Sequence, residues 1–323
     1  MGKLYLGVDL GGTNTVAAVV DENRTILAKA AQKTDTASGA EKLVDDICAL
    51  VRRAAKQACC SMSDFSGLGI GTPGLANSDT GMVECSANLP FDRFQLEQMV
   101  KEKICLATWI CNDANAAALG EWLCGQYQDC SSFVLVTLGT GIGCGMILQR
   151  SLYTGVNFAA GELGHMVVQP GGLPCGCGRS GCFEMYASAS GLIHMTKTYM
   201  RQAPNSVLWS LCGGQLEQVT GKTSFDGLRA GDETAASVVR EYIDWLALGL
   251  ANLVNLLQPE ILCIGGGLSN EGETLLEPLR REVFRREYAR NAWKRTKLVS
   301  ASLKNDAGLV GAALFPRYCQ PGR

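Results

Sequence analysis

The chain has 323 residues, 47% hydrophobic and 19% charged, which excludes disordered and fibrous classes and, at this length, suits about two domains. Its 29 Lys and Arg face 31 Asp and Glu, a net charge of −2 with no basic block, so there is no electrostatic footprint for nucleic acid. No apolar run reaches the roughly 18 to 20 residues of a membrane span. The start "MGKLYLGVDLGGTNT" meets glycines and Asp9 too soon for a secretory signal and lacks the hydroxyl residue of the myristoylation pattern, so a cytoplasmic location is expected.

In chain order, "KLYLGVDL-GGTNT-VAAVV-DENR-TILAKA" reads as an antiparallel meander turning on glycines and then on polar residues. A dinucleotide fingerprint or a Walker loop needs a helix directly after its glycines. Val16 to Val20 is short, β-branched and ends at a turn, and no GK[ST] follows, so both readings are weak. Residues 38–60 show helical periodicity through Leu43, Ile47, Leu50, Val51 and Ala54. "GLGIGTPG" reads as a buried strand ending in a turn, "RFQLEQMVKEK" as an amphipathic helix and "ATWICND" as a strand ending at Asp113. "ANAAALGEWLCG" then opens a helix that Asn or Asp can cap.

A second strand–turn–strand, "FVLVTLGTGIGCGMIL", repeats the rhythm of the first, which predicts a duplicated α/β unit facing a shared cleft. Residues 186–258 read as mainly helical, with "DETAASVVREYIDWLALGLANLVNLLQ" the longest helix, stopped by Pro259. "EILCIGGGLSN" is a strand running into three glycines. A helix at about 272–289, a strand at "TKLVSAS" and a helix at "AGLVGAALF" complete the pattern.

Three glycine turns, each at the end of a buried strand, point to nucleotide binding. In "DLGGTNT" the backbone N–H groups can approach phosphate oxygens, with Asp9 and Thr13 offering oxygens to magnesium. "TLGTGIG" can cradle phosphate in the same way, and Gly265 to Gly267 allow close approach of a flat base. Asp113 stands where a strand meets a helix, a place for a ligand-facing residue or for a plain N-cap. Asn112 and Asn115 beside it can hydrogen-bond a polyhydroxylated ligand.

Of the fifteen cysteines, Cys48, Cys59, Cys60, Cys105, Cys111, Cys124, Cys144, Cys212 and Cys263 sit among apolar neighbours and are expected to be reduced, buried hydrophobes. Cys175, Cys177 and Cys182 stand apart in "GELGHMVVQPGGLPCGCGRSGCFE", with His165 ten residues upstream. Cys₃His is a common tetrahedral set for structural zinc, whereas a C-x-C disulfide is strained. A plain glycine-rich loop is the alternative.

The series Asp9-x-Gly11-x-Thr13, "GTPG", "NDAN", "LGTGIG", "GELGH", "CGCGRSGCFE" and "IGGGLS" resembles the ROK-family sugar kinases, and most of all their bacterial glucokinase-like members. The resemblance runs from about residue 4 to residue 316. It implies an α/β, actin-like, hexokinase-type ATPase fold: duplicated ribonuclease H-like domains with an interdomain cleft and a structural zinc loop. The smaller domain would comprise 1–113 plus 303–323, with the final helix returning to it, and the larger one 114–302. ATP with Mg²⁺ would be the donor. Asp113 would be the general base on a sugar hydroxyl, and Asp9 would hold the magnesium. Gly11, Gly12 and Thr13, with Thr137, Gly139, Thr140 and Gly141, would line the phosphates, and Gly265, Gly266 and Gly267 would pack near adenosine. Asn88, Asn112, Asp113, Glu162, His165 and Glu184 would grip the sugar. His165, Cys175, Cys177 and Cys182 would bind Zn²⁺.

Two departures stand out: Cys144 follows the second glycine cluster where a small residue is usual, and "NLPFD" lacks a common tryptophan, which leaves the sugar-side wall open. Glucose is the expected acceptor. Fructose, N-acetylmannosamine, N-acetylglucosamine or allose are the alternatives, with polyphosphate as an alternative donor. The resemblance also implies a homodimer or homotetramer. Relatives that act as sugar-responsive repressors carry a helix-turn-helix domain first; here the first strand begins at Lys3, and that reading is disfavoured.

Overall fold

Consecutive apolar residues in "LYLGVDL" and "TVAAVV" require a sheet covered on both faces. In the computed structural model, which describes residues 2–318, they form β1 (Leu4–Leu10) and β2 (Asn14–Asp21), followed by β3 (Ile26–Lys33). The three pair antiparallel, with Leu10 opposite Thr15 at the turn. In α1 (Ala40–Gln57) the predicted stripe of Leu43, Ile47, Leu50, Val51 and Ala54 is buried. β4 (Phe65–Thr72) runs parallel to β1. A small antiparallel sheet of β5 (Leu75–Asn77), β6 (Met82–Cys85) and β7 (Asp92–Phe94) follows, its strands too short to leave a period-two signal. After α2 (Leu96–Ile104) comes β8 (Thr108–Asn112), parallel to β4, and then α3 (Asp113–Cys124).

The pattern then repeats. β9 (Ser132–Leu138), β10 (Ile142–Leu148) and β11 (Ser151–Leu152) precede the helical region of α4 (Glu184–Ala187), α5 (Ala189–Gln202), α6 (Leu208–Leu211), α7 (Thr223–Arg229) and α8 (Glu233–Leu257). β12 (Ile261–Gly265), α9 (Glu273–Arg286), β13 (Lys297–Ser300) and α10 (Ala307–Tyr318) complete it. The first sheet runs β3-β2-β1-β4-β8 and the second β11-β10-β9-β12-β13, the same order within each. The duplication expected from the two glycine hairpins is therefore present.

By packing, the chain divides into unit 1 (Met1–Ser131, Gly145–Gly161 and Ser302–Arg323) and unit 2 (Ser132–Cys144 and Glu162–Ala301). The expected division put its first boundary at 113/114, after the first residue of α3; by packing, all of α3 falls in unit 1. Residues 319–323 of the expected smaller domain lie outside the described residues.

In unit 1, Leu6, Val8, Leu10, Ile47, Leu50, Leu68 and Ile70 build the core between the sheet and α1, each Leu or Ile contributing about 1.5–3 kcal/mol by burial. The other face of the sheet is covered by α10, where Leu309, Val310, Ala313 and Leu314 pack on Tyr5, Ala18 and Val20. In unit 2, Phe133 to Val136, Leu262 to Ile264 and the α8 residues Leu246, Leu250 and Val254 are buried, and the Tyr242 hydroxyl donates to Ala187 O at 2.9 Å.

Among the described residues no two cysteines form a disulfide. Cys48, Cys111, Cys144, Cys212 and Cys263 are buried as expected. Cys59 and Cys105 are exposed and Cys60 and Cys124 half-buried, which corrects the expectation for these four. The reason for the exposed pair is positional: with φ of 56° and 57°, Cys59 and Cys105 turn the chain off the ends of α1 and α2.

Candidate functional site

The carboxyl ends of parallel strands are where an α/β sheet presents its ligand groups. In unit 1, Asp9 of β1 lies opposite Gly71 of β4, and Thr72 lies opposite Asn112 of β8, so Asp9 and the Asn112–Asp113 junction share that edge. Asn112, not Asp113, caps α3. Its side-chain oxygen accepts from Ala114 N–H (2.9 Å) and Asn115 N–H (3.1 Å), while its amide donates to Gly74 O (3.2 Å). Asp113 is thereby the first helical residue, with Oδ1 accepting from Ala114 N–H at 2.8 Å. Much of Asn112's capacity goes to placing Asp113.

Burial raises the Asp113 carboxyl above the usual carboxylate range, against the hydrogen bonds that lower it. Burial, and after it the charge of Asp113, pushes Asp9 up to about 6. Two crowded carboxylates of this kind suit a divalent cation, whose charge relieves both burial and repulsion. The turn after Asp9 is pinned from β3: Thr34 Oγ donates to Gly11 O (2.7 Å) and Thr34 N–H to Thr13 O (2.9 Å). Gly12 and Thr13 are left exposed, with Asn88 beside Gly12.

In unit 2, Thr137 of β9 is the register partner of Gly265 of β12, which sets the turn Gly139–Thr140–Gly141 and the triple glycine at neighbouring strand ends. Gly266 has φ 80°, and a Cβ there would lie 2.5 Å from Leu138 N, so only glycine fits. Ala189 N–H donates to Gly139 O at 2.8 Å, tying the glycine turn to the start of α5. Glu184 heads α4, and a Cβ on Gly141 would stand 2.6 Å from its Oε2, so the carboxylate rests against that turn. Its Oε1 is 3.3 Å from Cys175 Sγ and 3.6 Å from His165 Nδ1.

His165, Cys175, Cys177 and Cys182 bring one ligand atom each within 4.8 Å of one another. The Cys175 Sγ–His165 Nδ1 and Cys177 Sγ–Cys182 Sγ separations are both 3.6 Å. A tetrahedron built on metal–sulfur bonds of about 2.3 Å has edges of about 3.8 Å, so the donor set and its spacing fit zinc. Arg179 holds the Cys177 thiol down at about 6, chiefly through its backbone N–H, while burial pushes Cys175 up to about 12. Gly181, at φ 82°, lets the loop close: a Cβ there would lie 1.7 Å from Gln169 O. With His165 Nδ1 facing the sulfurs, Nε2 stands 3.9 Å from Glu162 Oε2.

The sequence-predicted residues thus fall into two groups. Asp9, Gly11, Gly12, Thr13, Asn88, Asn112 and Asp113 gather in unit 1; the glycine turns, Glu162, Glu184 and the Cys₃His loop lie in unit 2. One residue escaped notice. Glu121, in the apolar helix α3, is 0% exposed and accepts three hydrogen bonds. The available signal was a lone carboxylate within "AAALGEWLCG".

The chain matches the ROK family over residues 5–317. Glucokinase from Streptomyces coelicolor is 36% identical over 98% of this chain and 99% of its own length. Glucokinase from Halalkalibacterium halodurans is 35% identical, over 96% and 93%. The crystal structure of a ROK family glucokinase from Streptomyces griseus in complex with glucose and AMPPNP, 36% identical, superposes with a TM-score of 0.84 over 97% of this chain and 98% of that one. A match that runs from the first strand to the last helix shows that the chain belongs to the ROK family, built on its actin-like ATPase fold.

Proposed function

We propose that this protein is an ATP-dependent hexose kinase that phosphorylates glucose on its 6-hydroxyl. The kinase reading is supported by the glucokinase relatives and by the neighbour bound to glucose and AMPPNP. The observation that carries the mechanism is Asp113: a carboxylate at the head of α3, lifted by burial toward the range where a base works near neutral pH. In this reading Asp113 takes the 6-hydroxyl proton as that oxygen attacks the γ-phosphorus, and the bond to the β-phosphate oxygen breaks, releasing ADP. Phosphoryl transfer asks mainly for positioning and charge neutralisation.

Asp9 would hold Mg²⁺, which neutralises phosphate charge when bound. Gly11, Gly12, Thr13, Thr137, Gly139, Thr140 and Gly141 offer backbone and hydroxyl donors to the phosphates, and Gly265 to Gly267 offer a flat approach to adenosine. Asn88, Asn112, Glu162, His165 Nε2 and Glu184 match a ligand whose hydroxyls both donate and accept. Zn²⁺ on His165, Cys175, Cys177 and Cys182 would fix the imidazole tautomer and the loop. The same reading makes the enzyme cytoplasmic and a homodimer or homotetramer. Coupled ADP-release kinetics across hexoses and N-acetylhexosamines test the acceptor. The highest kcat/KM is expected for glucose; a higher value for fructose, allose or an N-acetylhexosamine would overturn glucose and leave the kinase intact.

A further inference from the structure

The helix that presents Asp113 also carries, eight residues on and about 12 Å along its axis, the buried carboxylate of Glu121. Glu121 Oε1 accepts from Ser302 N–H and Ser302 Oγ, both at 2.5 Å, and Oε2 accepts from Leu303 N–H at 2.9 Å. Ser302 is where the chain re-enters unit 1. Two other such places also rest on α3. Trp122 Nε1 donates to Cys130 O (3.3 Å) just before the chain leaves at Ser131, and a Cβ on Gly145, where it returns, would lie 2.5 Å from Ala118 Cβ.

From Ser302 a short 3₁₀ turn, Lys304–Asp306, leads directly into α10. The first turn of α10 meets both members of the carboxylate pair's scaffold. A Cβ on Gly120 of α3 would stand 2.1 Å from Ala307 O, and one on Gly308 would stand 3.4 Å from Asp9 Oδ2. The carboxylate of Glu121 therefore fixes the start of α10, which bears on α3 at one side and on Asp9 at the other.

We infer that Glu121 is a positioning residue for phosphoryl transfer: by clamping Ser302 and Leu303 it sets the start of α10 and with it the spacing of Asp9 and Asp113. This rests on the reading of Asp113 as base and Asp9 as a phosphate-side residue. The clamp needs an acceptor at both oxygens, which glutamine cannot supply. Whichever way a glutamine amide is turned, its NH₂ faces one of the backbone N–H groups.

The test compares purified full-length Glu121→Gln, Ser302→Ala, the double variant and Asp113→Asn. Each is measured for kcat and for KM of glucose and ATP, with active sites counted by calorimetric glucose binding. Misalignment of reacting groups is felt in the transition state and not in ground-state binding. Glu121→Gln is expected to lose about 10- to 100-fold in kcat per active site, with both KM values within about twofold. Ser302→Ala removes one of the three bonds and is expected to lose about two- to fivefold, and the double variant to be no worse than Glu121→Gln alone.

A folded Glu121→Gln with wild-type kcat per active site overturns the proposal. So does a loss that only reduces the number of active sites, which marks a merely structural role. If Glu121→Gln does not fold, Ser302→Ala decides by the same two readouts. Asp113→Asn separates the readings: if it stays active, the base assignment falls, whereas an inactive Asp113→Asn beside a normal Glu121→Gln removes only the positioning role.

Discussion

Removing the charge of Asp9 should stabilise the metal-free protein while destroying its activity. Asp9 is half-buried, is raised from 3.8 to about 6, and receives no protein hydrogen bond among the described residues. Its folded-state proton affinity exceeds the unfolded one. The stability it permits is therefore full below pH 3.8 and is lost as the pH rises through about 6. Raising the carboxyl from 3.8 to about 6 corresponds to about 3 kcal/mol above pH 6. Asparagine keeps the shape, does not ionise and can donate toward Asp113. Asp9→Asn should thus gain about 2–3 kcal/mol at pH 8, or about 5–10 °C in melting temperature, and about half of that at pH 5. The assay is thermal and urea unfolding in chelator, without nucleotide, at both pH values. A variant no more stable than the parent at pH 8, or a gain equal at both pH values, would refute the electrostatic account. Excess Mg²⁺-ATP should narrow the gap by stabilising the parent alone.

Other consequences are as direct. Asp113→Asn should lower kcat about 10²- to 10⁴-fold while glucose affinity, read by calorimetry, changes less than about threefold. Elemental analysis should find about one zinc per chain, lost in Cys177→Ala. In chelator-stripped protein at pH 7, a brief iodoacetamide pulse should label Cys177 well before Cys175 by mass spectrometry, because Cys177 is held at about 6 and Cys175 is pushed up to about 12. Gly311→Ala would put a Cβ 1.7 Å from Ala116 O between α10 and α3, and should cost about 2–4 kcal/mol in urea unfolding.

Regular periodicity made much of the fold legible. The stripe of Leu43, Ile47, Leu50, Val51 and Ala54 is the buried face of α1, and the two glycine hairpins do head two sheets of the same strand order. Strands of three or four residues, such as Leu75–Asn77 and Met82–Cys85, carry too few positions for alternation to show. The cysteines were legible only as a class. Cys59 and Cys105 sit beside apolar neighbours in sequence, yet they fall where a helix ends and the backbone turns outward. Glu121 was illegible for a different reason. Its three donors belong to two residues, Ser302 and Leu303, some 180 positions away, and no local pattern announces a partner at that distance.

Glu184 shows how the cysteine loop connects with the rest of unit 2. One carboxylate oxygen lies near Cys175 and His165, and the other rests on Gly141 of the glycine turn, whose neighbour Gly139 is tied to Ala189 at the head of α5. Glu184 thus stands between a Cys₃His set and a backbone cradle, and either could move it. The cysteines need not touch a substrate to matter. Ordering Cys175 and His165 also orders the face against which Glu184 packs, and a disturbed loop would be felt at Gly141 before it was felt at any strand of the core. On the proposed reading, loss of zinc should weaken catalysis more sharply than it weakens the hydrophobic core of unit 2, where Phe133 to Val136 and Leu262 to Ile264 are themselves buried.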